Sequence, residues 1–88
     1  MRNNKFFGFD RHFKSVYDGS IISFVEDSKR KIGHLWYHGQ WNEWIISYHH
    51  LYSEWGYNVG KRRINRIKVL GFGERDEYIL EQYRDSQT

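Results

Sequence analysis

The sequence predicts a small, mainly β (α+β) domain: a strongly bent antiparallel sheet or small barrel of about four to five strands with a short C-terminal helix. Three observations carry this. Short runs rich in Ile, Val, Tyr, Phe and Trp alternate with turn residues through most of the chain. The Asp18-Gly19 dipeptide sits between two apolar runs, a strong hairpin signature because both central residues of that turn need φ > 0. An acidic, helix-forming segment occurs only after Gly73. The 88 residues make one domain, 1–88, divided into an N-terminal aromatic segment (1–17), a β body (18–71) and an acidic C-terminal helix (74–85).

In residues 1–17, Phe6, Phe9, Phe13 and Val16 follow helical spacing and Asp10 is a candidate cap, whereas Gly8 and the neighbouring β-formers oppose a long helix. The expectation there is irregular chain or one helical turn, docking phenylalanines onto the body. After Asp18-Gly19, residues 20–27 read as a strand, Asp27-Ser28-Lys29-Arg30 as a turn, and residues 31–38 as a second strand. Gly39-Gln40 breaks it, and pairing of His38 with Trp41 across that break is the simplest register. Residues 41–48 read as a strand followed by a helical turn over 49–55. The alternative is one helix with Trp41, Trp44, Ile45, Tyr48, Tyr52 and Trp55 as its apolar stripe. Residues 56–60 read as loop and 62–70 as a strand, with Ile67 and Val69 opposite Arg66 and Lys68 and Gly71-Phe72-Gly73 as its stop. The final helix has Glu74, Asp76 and Glu77 at its positive end and Arg84 at its negative end. The strand spacing resembles that of KOW- and Tudor-type barrels, a resemblance of architecture that implies the fold and no particular activity.

The core material is unusual. Seventeen aromatic residues stand against 16 Leu, Ile and Val, with no alanine. Each buried ring removes on the order of 150–250 Å² from water, so a small core cannot enclose all of them. Some must reach the surface, which makes binding or self-association a natural use. The rings concentrate in residues 33–57, which hold all four tryptophans, four of the seven tyrosines and four of the five histidines, yet no lysine or arginine. On alternating strands, Leu35, Tyr37, Trp44, Ile46 and Tyr48 form one face, the candidate core. His34, Trp36, His38 and Trp41 form the other, the candidate recognition face. The competing reading packs Trp36 and Trp41 beneath the N-terminal phenylalanines or the C-terminal helix.

Residues 1–68 carry 12 Lys/Arg against 6 Asp/Glu, and residues 69–88 carry 2 against 5. Lys29, Arg30 and Lys31 form one basic cluster; Lys61, Arg62, Arg63, Arg66 and Lys68 form a second. A basic rim around exposed rings is the usual construction of sequence-tolerant single-strand binding, because cations meet phosphates while rings stack on bases. A small non-catalytic protein that engages nucleic acid, single-stranded above all, is therefore the leading expectation. A protein-binding inhibitor or accessory factor using the same rings as a hot-spot patch is the alternative. A pocket for a phosphorylated small molecule, built of rings and arginines, ranks below both.

Other classes have less behind them. The chain has no cysteine, so no thiolate metal site or disulfide frame exists, and no carboxylate–histidine spacing builds a metal site. No cofactor is expected. A metal-free ribonuclease would need His38 or His49 with Glu43 and Arg66, and no motif draws these together. No apolar run approaches a membrane span and no signal-peptide core opens the chain. A cytoplasmic, reducing setting is the expectation. The absence of alanine, with abundant Asn, Ile, Tyr and Lys, points towards a biased genome such as that of a virus or mobile element.

Overall fold

In the computed structural model, the described residues are 5–48, 50–53, 56–59 and 64–86. Among these residues, seven strands precede one α-helix: β1 (Phe6–Phe9), β2 (Ser15–Tyr17), β3 (Ser20–Glu26), β4 (Lys29–His38), β5 (Glu43–Ser47), β6 (Tyr57–Asn58), β7 (Asn65–Phe72) and α1 (Tyr78–Ser86). A 3-10 turn at Glu74–Asp76 leads into α1. The strands form two antiparallel sheets, a β1–β2 hairpin and a five-stranded sheet in the order β6-β5-β4-β3-β7. The mainly β class with a short C-terminal helix is as the sequence predicts.

Pairing in the large sheet sorts side chains onto two faces. Ile22 lies opposite Gly33 and Leu35 opposite Ile46, so Ile22, Phe24, Leu35 and Ile46 share one face. The hairpin supplies Val16 to that cluster, and Phe7, Trp44, Tyr48, Val59, Ile64, Ile67 and Val69 pack around it. The other face carries Ile21, His34, Trp36, Ile45 and Ser47. Tyr52 covers it from the loop after β5, its ring 4.5 Å from His34 and 5.7 Å from Trp36. Helix α1 packs against β4 with Leu80 buried. The sheet is thus covered on both sides, and both of its faces are core.

Several local readings change. Residues 6–17 are a hairpin, not a helical turn. Asp10 does act as a cap, but of the hairpin loop: its Oδ1 accepts the N–H groups of His12 and Lys14, each at 2.8 Å. Its Oδ2 accepts the N–H of Val69, at 3.0 Å, tying the loop to β7. A bulge between Phe6 and Gly8 breaks the alternation of β1. Phe7 therefore turns to the core against Trp44, while Phe6 and Phe9 meet edge-to-face outside.

Asp18-Gly19 is a turn, as expected, yet it does not close a hairpin, because β2 pairs with β1 and β3 pairs with β4 and β7. It is the corner between the two sheets. Gly19, at φ 107°, donates to Leu35 O and accepts from Gly73 N, while Asp18 Oδ1 accepts from Tyr37 N. The β3–β4 turn is only Asp27-Ser28, both at positive φ, so Lys29 and Arg30 belong to β4. The β4–β5 loop is longer than a two-residue turn: His38 pairs with Glu43, leaving Trp41 in the loop beside Asn42 at φ 55°. Residues 43–47 are a strand, which excludes the single helix over 41–55. The expected helical turn over 49–55 is partly outside the described residues, and Leu51-Tyr52 is a plain turn. Loop 56–60 contains β6, and β7 continues through Gly71 to end at Phe72, so that Gly73 alone of the expected Gly71-Phe72-Gly73 stop lies beyond the strand.

Candidate functional site

The sequence grouping of the ring-rich stretch holds, but the exposure assigned to its second group does not. His34, Trp36 and His38 lie on the face opposite Leu35 and Ile46, and all three are buried. Trp36 Nε1 donates to Ser47 Oγ at 2.7 Å, and Ser47 Oγ donates in turn to the carbonyl of Ser53. His34 Nδ1 accepts the N–H of Tyr52 at 3.1 Å. These polar ring atoms are spent inside the fold, as buried polar groups usually are. Trp41 is the exception. It is 49% exposed, stacked on His38 with centroids 3.9 Å apart and planes 7° from parallel. One face of the indole closes over His38 and leaves the other available.

The basic residues are divided as well. Lys29, Arg30 and Lys31 alternate along β4 and therefore face different ways. Lys31 Nζ is 2.8 Å from Oε1 of the buried Glu26. That hydrogen bond raises the Lys31 pKa against the opposing effect of burial, with the charges of Tyr48, Glu26 and Asp27 adding to it. Lys31 is committed to structure. Replacing it with alanine strips a cation from a buried carboxylate and is expected to cost about 1.5–3 kcal/mol in chemical unfolding. Because the native pKa of Lys31 is raised, this contribution is complete below about pH 10 and is lost as pH rises through the native value. Arg30 Nη1 reaches Ser23 Oγ at 3.2 Å, and Lys68 pairs beside Ser23 on β7, so these two cations flank one serine. Arg66 sits at φ 53°, where the β3–β7 register shifts. Lys61, Arg62 and Arg63 lie outside the described residues.

The surface that combines several exposed rings with exposed cations is elsewhere, on the β1–β2 hairpin. Phe6 is 48%, Phe9 62%, Phe13 86% and Tyr17 39% exposed. Phe6 joins the set, its centroid 5.2 Å from Phe9 and 5.7 Å from Tyr17. Arg11, His12 and Lys14 are exposed on the loop of the same hairpin, with Arg11 Nε donating to His12 Nε2 at 3.2 Å, whereas the exposed Lys5 places its Nζ over the Tyr37 ring, 4.7 Å from the centroid. The hairpin's only acid, Asp10, is buried and consumed by backbone donors. Phe13 is held at φ 61° in the loop between those cations. Sequence reasoning missed this surface because the phenylalanine spacing imitates a helix and the bulge that aligns Phe6 with Phe9 has no sequence mark of its own. The available signal was composition: FFGFDRHFK interleaves four rings with Arg11, His12 and Lys14.

Among the described residues, no group of three or more His, Asp or Glu is placed to hold a metal ion, and no helix is long and apolar enough to cross a membrane. Compared with protein-family models, curated proteins and solved structures, the chain finds no match.

Proposed function

We propose that this protein is a non-catalytic binder of single-stranded nucleic acid, and that the strand lies on the outer face of the β1–β2 hairpin. Phe6, Phe9, Phe13 and Tyr17 would stack on bases, and Arg11 and Lys14 would meet phosphates. Trp41, Lys29, Arg30 and Lys68 offer secondary contacts on the large sheet. The observation that carries the reading is Phe13. A left-handed backbone costs an L-residue about 1–2 kcal/mol, and a ring left in water recovers none of it by burial. A large apolar side chain kept at such a position among cations fits a ligand with π-faces and negative charge. Nucleic-acid strands have both.

The test separates binding from folding. Phe13→Gly relieves the backbone strain, so its thermal midpoint is expected to equal or exceed that of the wild type. Its affinity for a fluorescent single-stranded oligonucleotide, read by anisotropy, is expected to fall by roughly 5- to 100-fold, the loss of one stacked base. Wild-type binding should weaken steeply with salt, at about −0.7 in log K per log[salt] for each phosphate contact. Absence of single-strand binding at low salt sinks the reading and leaves the same rings as a hot-spot patch for a protein partner.

A further inference from the structure

A cleft of about 400 Å³ opens where the hairpin meets the outer edge of β7, lined by Lys14, Ser15, Tyr17, Ser20, residues 69–72, Arg75 and Asp76. We propose that this cleft binds one nucleotide unit, with its base against the rings of Tyr17 and Phe72 and its phosphate between Lys14 and Arg75. The volume falls at the lower end of the ~300–1,000 Å³ typical of small-ligand sites, which suits a ligand of this size.

The chemistry of the walls selects the class. Tyr17 on β2 and Phe72 at the end of β7 supply π-surface from two separate elements. Phe72 cannot easily retreat: the Gly19 corner lies against its ring, close enough that a Cβ there would stand 3.2 Å from two ring carbons. Its backbone is fixed too, since Phe72 N donates to Asp76 Oδ2 at 2.8 Å. Lys14 and Arg75 are both exposed and approach from the hairpin and from the 3-10 turn respectively. Arg75 Nη2 lies 3.4 Å from Asp76 Oδ2, so the carboxylate offsets one of the two cations. The remaining positive charge matches a phosphodiester or a single phosphate monoester better than a polyphosphate. Ser15 and Ser20 are the small hydroxyl-bearing residues of the lining, suited in type to sugar and phosphate oxygens. Ser20 Oγ already accepts the N–H of Tyr17, which leaves its own proton for another acceptor.

The same chemistry has two sources, a free mononucleotide or one residue of a longer strand. Tyr17 belongs both to the cleft and, through Phe6, to the ring surface of the hairpin. A strand crossing the hairpin would thus be led into the cleft. The strand version rests on the single-strand reading above; the mononucleotide version does not.

The experiment is a 15N–1H NMR titration of the full chain with a mononucleotide and, separately, with a short single-stranded oligonucleotide. The wild type, Lys14→Ser/Arg75→Ser and Phe13→Gly are compared. Both cleft substitutions fall on exposed side chains, and the retained spectrum checks their fold. The expected result is that mononucleotide shifts concentrate on the amides of Tyr17, Gly71 and Phe72, and that Lys14→Ser/Arg75→Ser weakens them about tenfold or more. Phe13→Gly leaves them unchanged. If the oligonucleotide also shifts these amides and binds more tightly, the source is a strand. If mononucleotide alone does so, the source is a free nucleotide and the hairpin reading fails while the cleft stands. Shifts elsewhere, or none on these amides at millimolar concentrations of either ligand, overturn the proposal, whatever the double substitution does to oligonucleotide affinity, because Lys14 also serves the hairpin surface.

Discussion

Replacing Asp10 with alanine is expected to destabilise the protein by about 3–5 kcal/mol, read by urea or thermal unfolding. One carboxylate serves three backbone donors: His12 and Lys14 through Oδ1, and Val69 through Oδ2. The first two shape the hairpin loop and the third fastens that loop to the large sheet, so their losses do not add independently. A hydrogen bond to a charged group contributes about 1.5–3 kcal/mol, and a buried donor left without an acceptor carries its desolvation cost in addition. Domains of this kind have only about 5–15 kcal/mol in total, so the substitution removes a large share. Asp10→Asn tests charge apart from shape. Its single carbonyl oxygen replaces two acceptors, and its amide must face either the Val69 N–H or the loop pair.

The same site sets an acid limit. Burial alone would raise the Asp10 pKa, but the N–H groups of Val69, Lys14 and His12, with the charge of His12, outweigh it and hold the pKa below its ordinary value. A depressed native pKa means that Asp10's stabilisation is complete above the unfolded value near 3.9 and is lost as pH falls through the native one. Wild type and Asp10→Asn should therefore converge in stability as pH drops below about 4.

Trp36→Ala is expected to cost about 3–5 kcal/mol, the range for emptying a buried indole site. The ring is 4% exposed, lies 5.3 Å from His38 and 5.7 Å from Tyr52, and anchors Ser47 through its Nε1–H. Trp36→Phe keeps most of the volume, removes the donor to Ser47 Oγ, and should cost about 1–2 kcal/mol. The informative comparison is with binding. At a temperature where Trp36→Phe is fully folded, its affinity for single-stranded nucleic acid should match that of the wild type, because the ring does not reach the surface. A loss of binding without a loss of stability would return Trp36 to a recognition role.

Alternation was readable. Ile22, Phe24, Leu35, Tyr37, Trp44 and Ile46 share a face as their two-residue period requires, and that survives a change of register because pleating does not depend on loop length. Exposure was not readable in the same way. Whether His34 and Trp36 meet water depends on Tyr52, brought over them by a turn whose own residue sits at φ 52°. The N-terminal hairpin was illegible for a related reason. Asp10 finds Val69 across 59 residues, and no local pattern announces that bond. At Asp18-Gly19 the local geometry was legible and the topology was not: a dipeptide dictates a reversal, while the competition among β1, β4 and β7 decides which strands the reversal joins.

Strand β3 takes its two neighbours from distant parts of the chain. β4 follows it after two residues, whereas β7 begins at Asn65. A ribosome delivers the N-terminus first, at about 5–20 residues per second, so the β3–β4–β5 meander emerges with one flank of β3 bare. That interval of seconds is when an unpaired apolar strand is open to a wrong partner. The arrival of residues 65–72 ends it twice over, closing the flank of β3 and delivering the Val69 amide to the waiting Asp10. Closure of the flank of β3 and the anchoring of the hairpin loop through Asp10 thus both wait on residues 65–72.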